Sequence, residues 1–237
     1  MPSSFNDADS PGISHIVEHQ MRNWEIARNQ HAKSPIGGDR QVAEFVSISR
    51  AVGLPGRNVA TLLSEQLGWP MFDREILQSM AGDDDCRQKI YEALDERDLN
   101  WVESFLNGMR PGAESGEDYF RQLSHTVLSL ARKGHTVILG RAADLILPQG
   151  TGLRVRITAS REFCVKSYSQ AKGLSLEKAA KDVEEIEHER ARFVRRHFHI
   201  EVNDPSRNDL TFNMERFTAQ QVADVILAAL RTKGVIS

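Results

Sequence analysis

A short segment rich in glycine carries the residues best suited to bind an anion. Gly53, Gly56, Arg57 and Asn58 follow an apolar run at residues 45–48 and precede a helix-forming stretch. Where a strand, a glycine turn and a helix N-terminus follow one another, backbone N–H groups and the helix dipole favour a phosphate. The Walker pattern G-x-x-x-x-G-K-[ST] is not met, because Arg57 and Asn58 follow the second glycine. An ordinary turn between a strand and a helix is equally compatible with these residues.

Three further polar residues come directly after predicted strands. Asp73 ends a short strand near residue 70, and Arg141 and Asp144 follow the apolar run at 136–140. In a parallel sheet, ligands bind beyond the carboxyl ends of the strands. We therefore expect Asp73, Arg141 and Asp144 to share one cleft with the glycine turn. The alternatives are that Asp73 caps the next helix and that Arg141 pairs with Asp144 at the surface.

Several arginines lie on a long predicted helix in the region 173–200. Arg192 and Arg196 are four residues apart and share a helix face, whereas Arg190 lies elsewhere around the helix. We interpret the region as a basic element that meets phosphates. A solvated helix face paired with the neighbouring glutamates is the alternative.

The elements that must position these residues alternate between strands and helices. Apolar runs predict five strands, near residues 45, 71, 136, 153 and 209, separated by helices. This alternation favours a parallel sheet covered by helices. In the strand at 153–159, basic residues alternate with apolar ones, which predicts one less buried face.

The first 40 residues differ from the rest. We expect a tail to residue 12, an amphipathic helix at 14–30 with Val17, Met21 and Trp24 on one face, and a linker at 33–39. Two interpretations of the helix remain open. It either decorates the main domain, residues 41–237, or serves as an interaction arm.

Composition excludes several classes of protein. The net charge is −3 and the pI is near 6.3, so we expect neither a nucleic acid nor a membrane as partner. Cys86 and Cys164 are far apart without metal-site spacing, which favours a reducing compartment. The sequence has no signal-peptide core and no apolar run of membrane length, so we predict a cytoplasmic protein. For the oligomeric state, we expect a monomer or a homodimer.

Five segments, taken together, resemble a known family. They are Ile48-Ser-Arg-x-x-Gly-x-x-Gly-Arg-x-Val-Ala60, Phe72-Asp-Arg-Glu-Ile76, Gly140-Arg-x-x-Asp144, Glu187-x-x-Arg190-Ala and Asp204-Pro-Ser-x-x-Asp-Leu210. In this order they are similar to the cytidylate kinase-like proteins of the P-loop kinase superfamily, over about residues 44–231.

The resemblance implies an α/β fold of three layers, with a five-stranded parallel sheet in the order 2-3-1-4-5. It also implies an acceptor-binding helical insertion at 77–135, a basic lid at 173–200, and transfer of the ATP γ-phosphoryl group to a nucleoside monophosphate such as CMP or dCMP. ATP and Mg²⁺ are the implied cofactors.

The residues can be assigned roles on this basis. Gly53, Gly56 and Asn58 would hold the donor phosphates by their backbone N–H groups, and Arg57 would replace the Walker lysine. Asp73 would hold the metal and contribute to substrate binding. Arg141 and Asp144 would bind the acceptor, with Arg141 and the lid arginines Arg190, Arg192 and Arg196 stabilising the transition state.

Two residues of the turn depart from the family pattern. Leu54 adds bulk where a backbone should approach phosphate, and Pro55 removes an N–H donor. These changes favour an alternative function, that of a nucleotide-binding regulatory or sensor protein with the kinase fold and little catalysis.

Overall fold

The computed structural model describes residues 11–31, 42, 44–108, 117–202 and 204–236. The predicted linker at 33–39 and the first ten residues of the predicted tail lie outside them. The strands are β1 (Phe45–Arg50), β2 (Met71–Phe72), β3 (Thr136–Leu139), β4 (Leu153–Thr158) and β5 (Leu210–Asn213). The helices are α1 (Pro11–His31), α2 (Gly56–Leu67), α3 (Arg74–Gly82), α4 (Asp84–Glu92), α5 (Glu96–Gly108), α6 (Glu117–Lys133), α7 (Ala143–Ile146), α8 (Arg161–Lys172), α9 (Leu176–Phe198) and α10 (Ala219–Thr232).

All five strands belong to one parallel sheet in the order β2-β3-β1-β4-β5. The predicted order is confirmed. Strand β1 lies at the centre, where Ile48 is opposite Leu139 of β3 and Val155 of β4. The turn after β1 is therefore flanked by the carboxyl ends of both neighbouring strands.

The core has two parts, one on each face of the sheet. Successive residues of β1 alternate between them, so that Phe45 packs with α3 and α6 while Val46 packs with α2 and α10. Both side chains are fully buried. The three-layer architecture predicted from the resemblance is confirmed, and it brings every strand's carboxyl end to the same edge.

Helix α1 packs on the first of these faces. Val17, Met21 and Trp24 are buried, and the Trp24 indole N–H donates to the carbonyl of Leu130 at 3.0 Å. The predicted apolar face is therefore used inside the domain. This packing favours the interpretation of a decorating helix over that of an interaction arm.

Strand β4 has the less buried face that its alternation predicts at Arg156 and Thr158, which are partly exposed, whereas Arg154 on the same face is buried. Arg154 is only 5% exposed, because its guanidinium donates hydrogen bonds to four carbonyls of the segment 144–151. It also lies over the Phe45 ring, 5.2 Å from the centroid. The hydrogen bonds of Arg154 therefore hold the segment that carries Asp144 against β4.

No helix among the described residues is both long and apolar enough to cross a bilayer. Cys86 and Cys164 are buried free thiols.

Candidate functional site

The glycine turn lies between β1 and α2, as predicted. Gly53 has φ +85°, and a Cβ atom there would lie 2.4 Å from the carbonyl oxygen of Cys164, so only glycine fits. In the described part of the chain, the backbone N–H groups of Gly53, Leu54 and Arg57 have no hydrogen-bond acceptor. Those of Gly56 and Asn58 donate to the carbonyls of Leu54 and Pro55. The donors available to a phosphate thus differ from the predicted set, with which they share only Gly53.

Asp73 and Arg57 form an ion pair beside the turn. The Arg57 Nη1 atom lies 3.0 Å from Asp73 Oδ2 and 3.8 Å from a carboxylate oxygen of Glu75. The other Asp73 oxygen accepts the backbone N–H groups of Glu75 and Ile76, at 3.1 and 3.0 Å, and so caps α3. Both oxygens of Asp73 are engaged within the protein.

This arrangement does not fit a prepared magnesium site. Among the described residues no group of three or more His, Cys, Asp or Glu side chains could hold a metal ion. Asn58 is exposed on the first turn of α2. The capping role, one of the two alternatives for Asp73, is the one that the geometry shows.

Arg141 and Asp144 have separate partners and do not form the surface pair that was the alternative. Arg141 donates to the side chain of Gln78 on α3, and its guanidinium lies 5.9 Å from the centroid of the Tyr119 ring. Asp144 is buried and paired with Arg207. Arg141 also has φ +55°, a rare conformation for a residue with a side chain.

Helix α9 covers the turn with one face and meets solvent with another. Arg190 is half-buried and donates to the backbone carbonyl of Arg50 at 2.9 Å. One turn before it, Glu187 accepts the backbone N–H of Val52 at 2.7 Å. Arg192 and Arg196 are exposed and line neither of the two cavities at the strand ends. The structure therefore brings Arg190 to the turn, but not the other two lid arginines.

Two adjacent cavities lie at the carboxyl edge of the sheet. The turn cavity, of about 360 Å³, is bounded by residues 50–54 together with Arg57 and Asp73. The arginine cavity, of about 300 Å³, is bounded by the ends of β1 and β3 and by α9. Arg50, Arg74, Ile186 and Arg190 line both cavities. Among the described residues, six arginines line the arginine cavity, and these are Arg50, Arg74, Arg141, Arg156, Arg190 and Arg207.

The electrostatics of this edge favour an anion. Burial lowers the pKa of Arg141, Arg156 and Arg190. The charge of Glu187 partly offsets this lowering of the pKa for Arg156 and Arg190, and neighbouring arginines add to it in all three. Burial, followed by the charge of Arg190, lowers the pKa of Arg50 to about 10. Like charges held together in a partly desolvated cavity repel each other, and a bound phosphate would relieve that repulsion.

Sequence reasoning assigned no role to four of these arginines. Arg50 and Arg74 follow predicted strand ends, the same signal that identified Arg141. Arg207 lies in the Asp204-Pro-Ser segment, which the resemblance already included. Arg156 lies within a strand, on the face that the pattern predicted to be less buried, and nothing in its position indicated a functional role.

The fold is similar to that of solved structures. An uncharacterized protein from Eubacterium ventriosum ATCC 27560 aligns with a TM-score of 0.64 and 19% identity, over 81% of this chain and 99% of the other. A gluconokinase from Sinorhizobium meliloti 1021 aligns with a TM-score of 0.43 and 13% identity, over 81% of this chain and 94% of the other. A shikimate kinase from Bacteroides thetaiotaomicron gives 0.43 and 11%, with coverages of 81% and 98%. The family assignment does not depend on the last two.

Comparison with curated proteins found no match. The cytidylate kinase-like family, in contrast, matches residues 45–216, a segment that runs from the first residue of β1 past the end of β5 and contains both cavities. This match covers most of the chain, including the segments that carry the resemblance. The chain therefore belongs to the cytidylate kinase-like family.

Proposed function

We propose that the protein transfers the γ-phosphoryl group of ATP to a nucleoside monophosphate, of which CMP and dCMP are the first candidates. One observation carries this proposal: two cavities meet at the strand ends and share Arg50, Arg74 and Arg190. Phosphoryl transfer requires donor and acceptor to meet at a point where positive charge neutralises the transferring group. A shared wall of arginines supplies that charge.

The turn cavity would take the donor. The N–H groups of Gly53, Leu54 and Arg57 are available to its phosphates, as is the dipole of α2. Pro55 offers no N–H, so the turn relies on cations more than a glycine-rich turn does. Lys172 lies at the far side of the same cavity.

The arginine cavity would take the acceptor. Arg141 is held by Gln78 at the mouth of the helical insertion, in a position to meet the acceptor phosphate. Asp144, neutralised by Arg207, is a hydrogen-bond acceptor suited to an amino group on a base. Arg192 and Arg196 would reach phosphate only after a movement of α9, because both are exposed in this structure.

ATP brings the group that is transferred, and its bound metal would draw ligands from phosphate and water. The protein's own residues position the reactants, neutralise charge and, through α9, exclude water from the junction.

The proposal is tested by turnover. The protein is incubated with ATP, Mg²⁺ and a panel of CMP, dCMP, UMP, AMP and GMP, and the release of ADP is followed. We expect turnover with at least one pyrimidine acceptor. Arg141→Ala should raise the KM for the acceptor while ATP binding, measured by calorimetry, changes little. If no acceptor gives turnover above background, the kinase proposal fails.

A second candidate is a nucleotide-binding regulatory protein without catalysis. Two contacts favour it: the ion pair between Asp73 and Arg57, and the hydrogen bond that the Val52 N–H donates to the Glu187 carboxylate. Both contacts occupy charged or donor groups that a kinase would use to bind its substrates. Calorimetry separates the two candidates. Binding of ATP in the absence of turnover supports the second, and turnover with any acceptor refutes it.

A further inference from the structure

The side chain of Arg50 folds back across the start of α2. Arg50 is the last residue of β1, yet its Cγ and Cδ atoms lie directly over Gly56, the first residue of the helix. A Cβ atom at Gly56 would stand 3.1 Å from Arg50 Cδ and 3.2 Å from Cγ. The aliphatic stem of Arg50 thus fills the space above the helix N-terminus.

A second glycine makes room for the guanidinium. Gly140, at the end of β3, has φ +82°, and a Cβ atom there would lie 2.5 Å from Arg50 Nη1. A side chain at Gly140 would be strained by this backbone conformation and would displace the Arg50 guanidinium. Gly56 and Gly140 therefore define a slot that delivers the Arg50 guanidinium to the boundary of the two cavities, which it lines on both sides.

A Walker loop joins a strand to a helix through G-x-x-x-x-G-K-[ST], with the lysine on the first turn of the helix. With β1 ending at residue 50 and α2 beginning at residue 56, the pattern covers residues 51–58 and places its second glycine on Gly56 and its lysine on Arg57. Arg50 reaches the same turn from the opposite side, from the end of the strand.

Arg57 is less suited than Arg50 to binding a phosphate at this turn. Its side chain is 53% exposed and held by Asp73 and Glu75. In the part of the chain that the structure describes, the Arg50 guanidinium has neither a hydrogen bond nor an ion pair, although it is half-buried. The charge of Asp73 acts on Arg50, but the Asp73 carboxylate is paired with Arg57. A half-buried cation whose guanidinium donates no hydrogen bond, beside a helix N-terminus and other arginines, is suited to a multiply charged anion.

We propose that Arg50 binds the phosphates of ATP at the turn and replaces the lysine of the Walker loop. The proposal rests on the proposed function in taking ATP as the ligand, but it concerns binding and does not require turnover. It also explains why residues 56 and 140 are glycines.

The first test removes the charge and keeps the stem. Arg50→Met retains an unbranched chain over Gly56, and ATP affinity is measured by calorimetry on the folded protein, with circular dichroism as the check of folding. Loss of a charge-assisted contact predicts a decrease in affinity of about tenfold or more. Arg22→Ala, which removes an exposed arginine of α1, is the control and should bind as the wild type does. An Arg50→Met protein that folds and binds ATP within about twofold of the wild type would overturn the proposal.

The second test moves the positive charge from residue 50, at the end of β1, to residue 56, at the start of α2. Arg50→Gly should bind ATP weakly, and the double variant Arg50→Gly/Gly56→Lys should recover affinity, because the lysine then enters the vacated slot from α2. Equal affinities of the single and double variants would overturn the proposal, and this comparison decides the matter if Arg50→Met does not fold.

The proposed kinase activity and the role of Arg50 fail in different ways. A wild type that binds ATP without turnover refutes the kinase activity alone, and the Arg50 comparison still stands. A wild type that does not bind ATP overturns the assignment of Arg50.

Discussion

Glu187 occupies part of the turn where we propose that ATP binds, and its removal should therefore tighten ATP binding. The carboxylate accepts the N–H of Val52 at 2.7 Å and lies 3.7 Å from Arg190 Nη1. A nucleotide phosphate that binds at this turn needs the same donors and the same cation. Bound ATP and the Glu187 contact therefore oppose each other.

The structure sets the size of the effect. A hydrogen bond to a charged group is worth about 1.5–3 kcal/mol, and the Glu187 side chain is 32% exposed, so the lower end applies. About 1.4 kcal/mol corresponds to a tenfold change in Kd. We expect Glu187→Ala to lower the Kd for ATP about tenfold. Glu187→Gln should give a smaller gain, because the amide oxygen still accepts the N–H of Val52.

The assay is calorimetric titration with ATP, run beside thermal unfolding of each variant. Glu185→Gln is the control, because Glu185 is exposed on the outer face of α9 and its substitution changes the net charge equally. An unchanged or weaker affinity in a folded Glu187→Ala protein would refute the reasoning. So would an equal gain with Glu185→Gln, which would trace the effect to net charge.

Three other predictions concern stability. Trp24→Ala should lower the free energy of unfolding by roughly 3–5 kcal/mol, because the side chain is fully buried. Urea unfolding followed by circular dichroism measures this loss. A loss below about 1 kcal/mol would contradict the packing of α1. Gly140→Ala should cost more than about 1 kcal/mol, because φ is +82° and the new methyl group would meet Arg50; an unchanged Tm would argue against it. Burial lowers the pKa of His125 in the folded protein from its ordinary 6.5. As the pH falls, His125 therefore binds a proton in the unfolded chain before it does so in the folded one, and the free energy of unfolding should decrease below about pH 6.5. His125→Phe should flatten this fall in urea unfolding at pH 7.5 and pH 5.5, and parallel pH curves for the two proteins would contradict it.

The fold could be predicted because the strands and turns carry local signals. Apolar runs marked all five strands, and the positions after the first three of them placed the turn, Asp73 and Arg141 at one edge of the sheet. Strand order came from the resemblance to a family, since periodicity does not specify which strands are neighbours.

The partners of the charged side chains could not be predicted in the same way. Spacing shows that Arg57 follows a glycine, but not that Asp73, sixteen positions later, lies within 3.0 Å of it. The Arg50 side chain lies against Gly56 and Gly140, which have no Cβ atom and which the fold brings close to each other. Arg154 was expected on the less buried face of its strand, because local sequence does not show that four carbonyls of one segment accept its hydrogen bonds.

The contact between α1 and the sheet has a consequence for solubility. Strand β2 is an edge strand of two residues, and the side chain of Gln20 on α1 accepts the N–H of Met71 at 3.0 Å. A chain that lacked α1 would leave this donor open, together with the apolar surface that Trp24 covers. Open strand edges beside apolar surface pair with other chains and lead to aggregation. Helix α1 therefore covers this edge of the sheet, and we expect a chain without α1 to aggregate through β2.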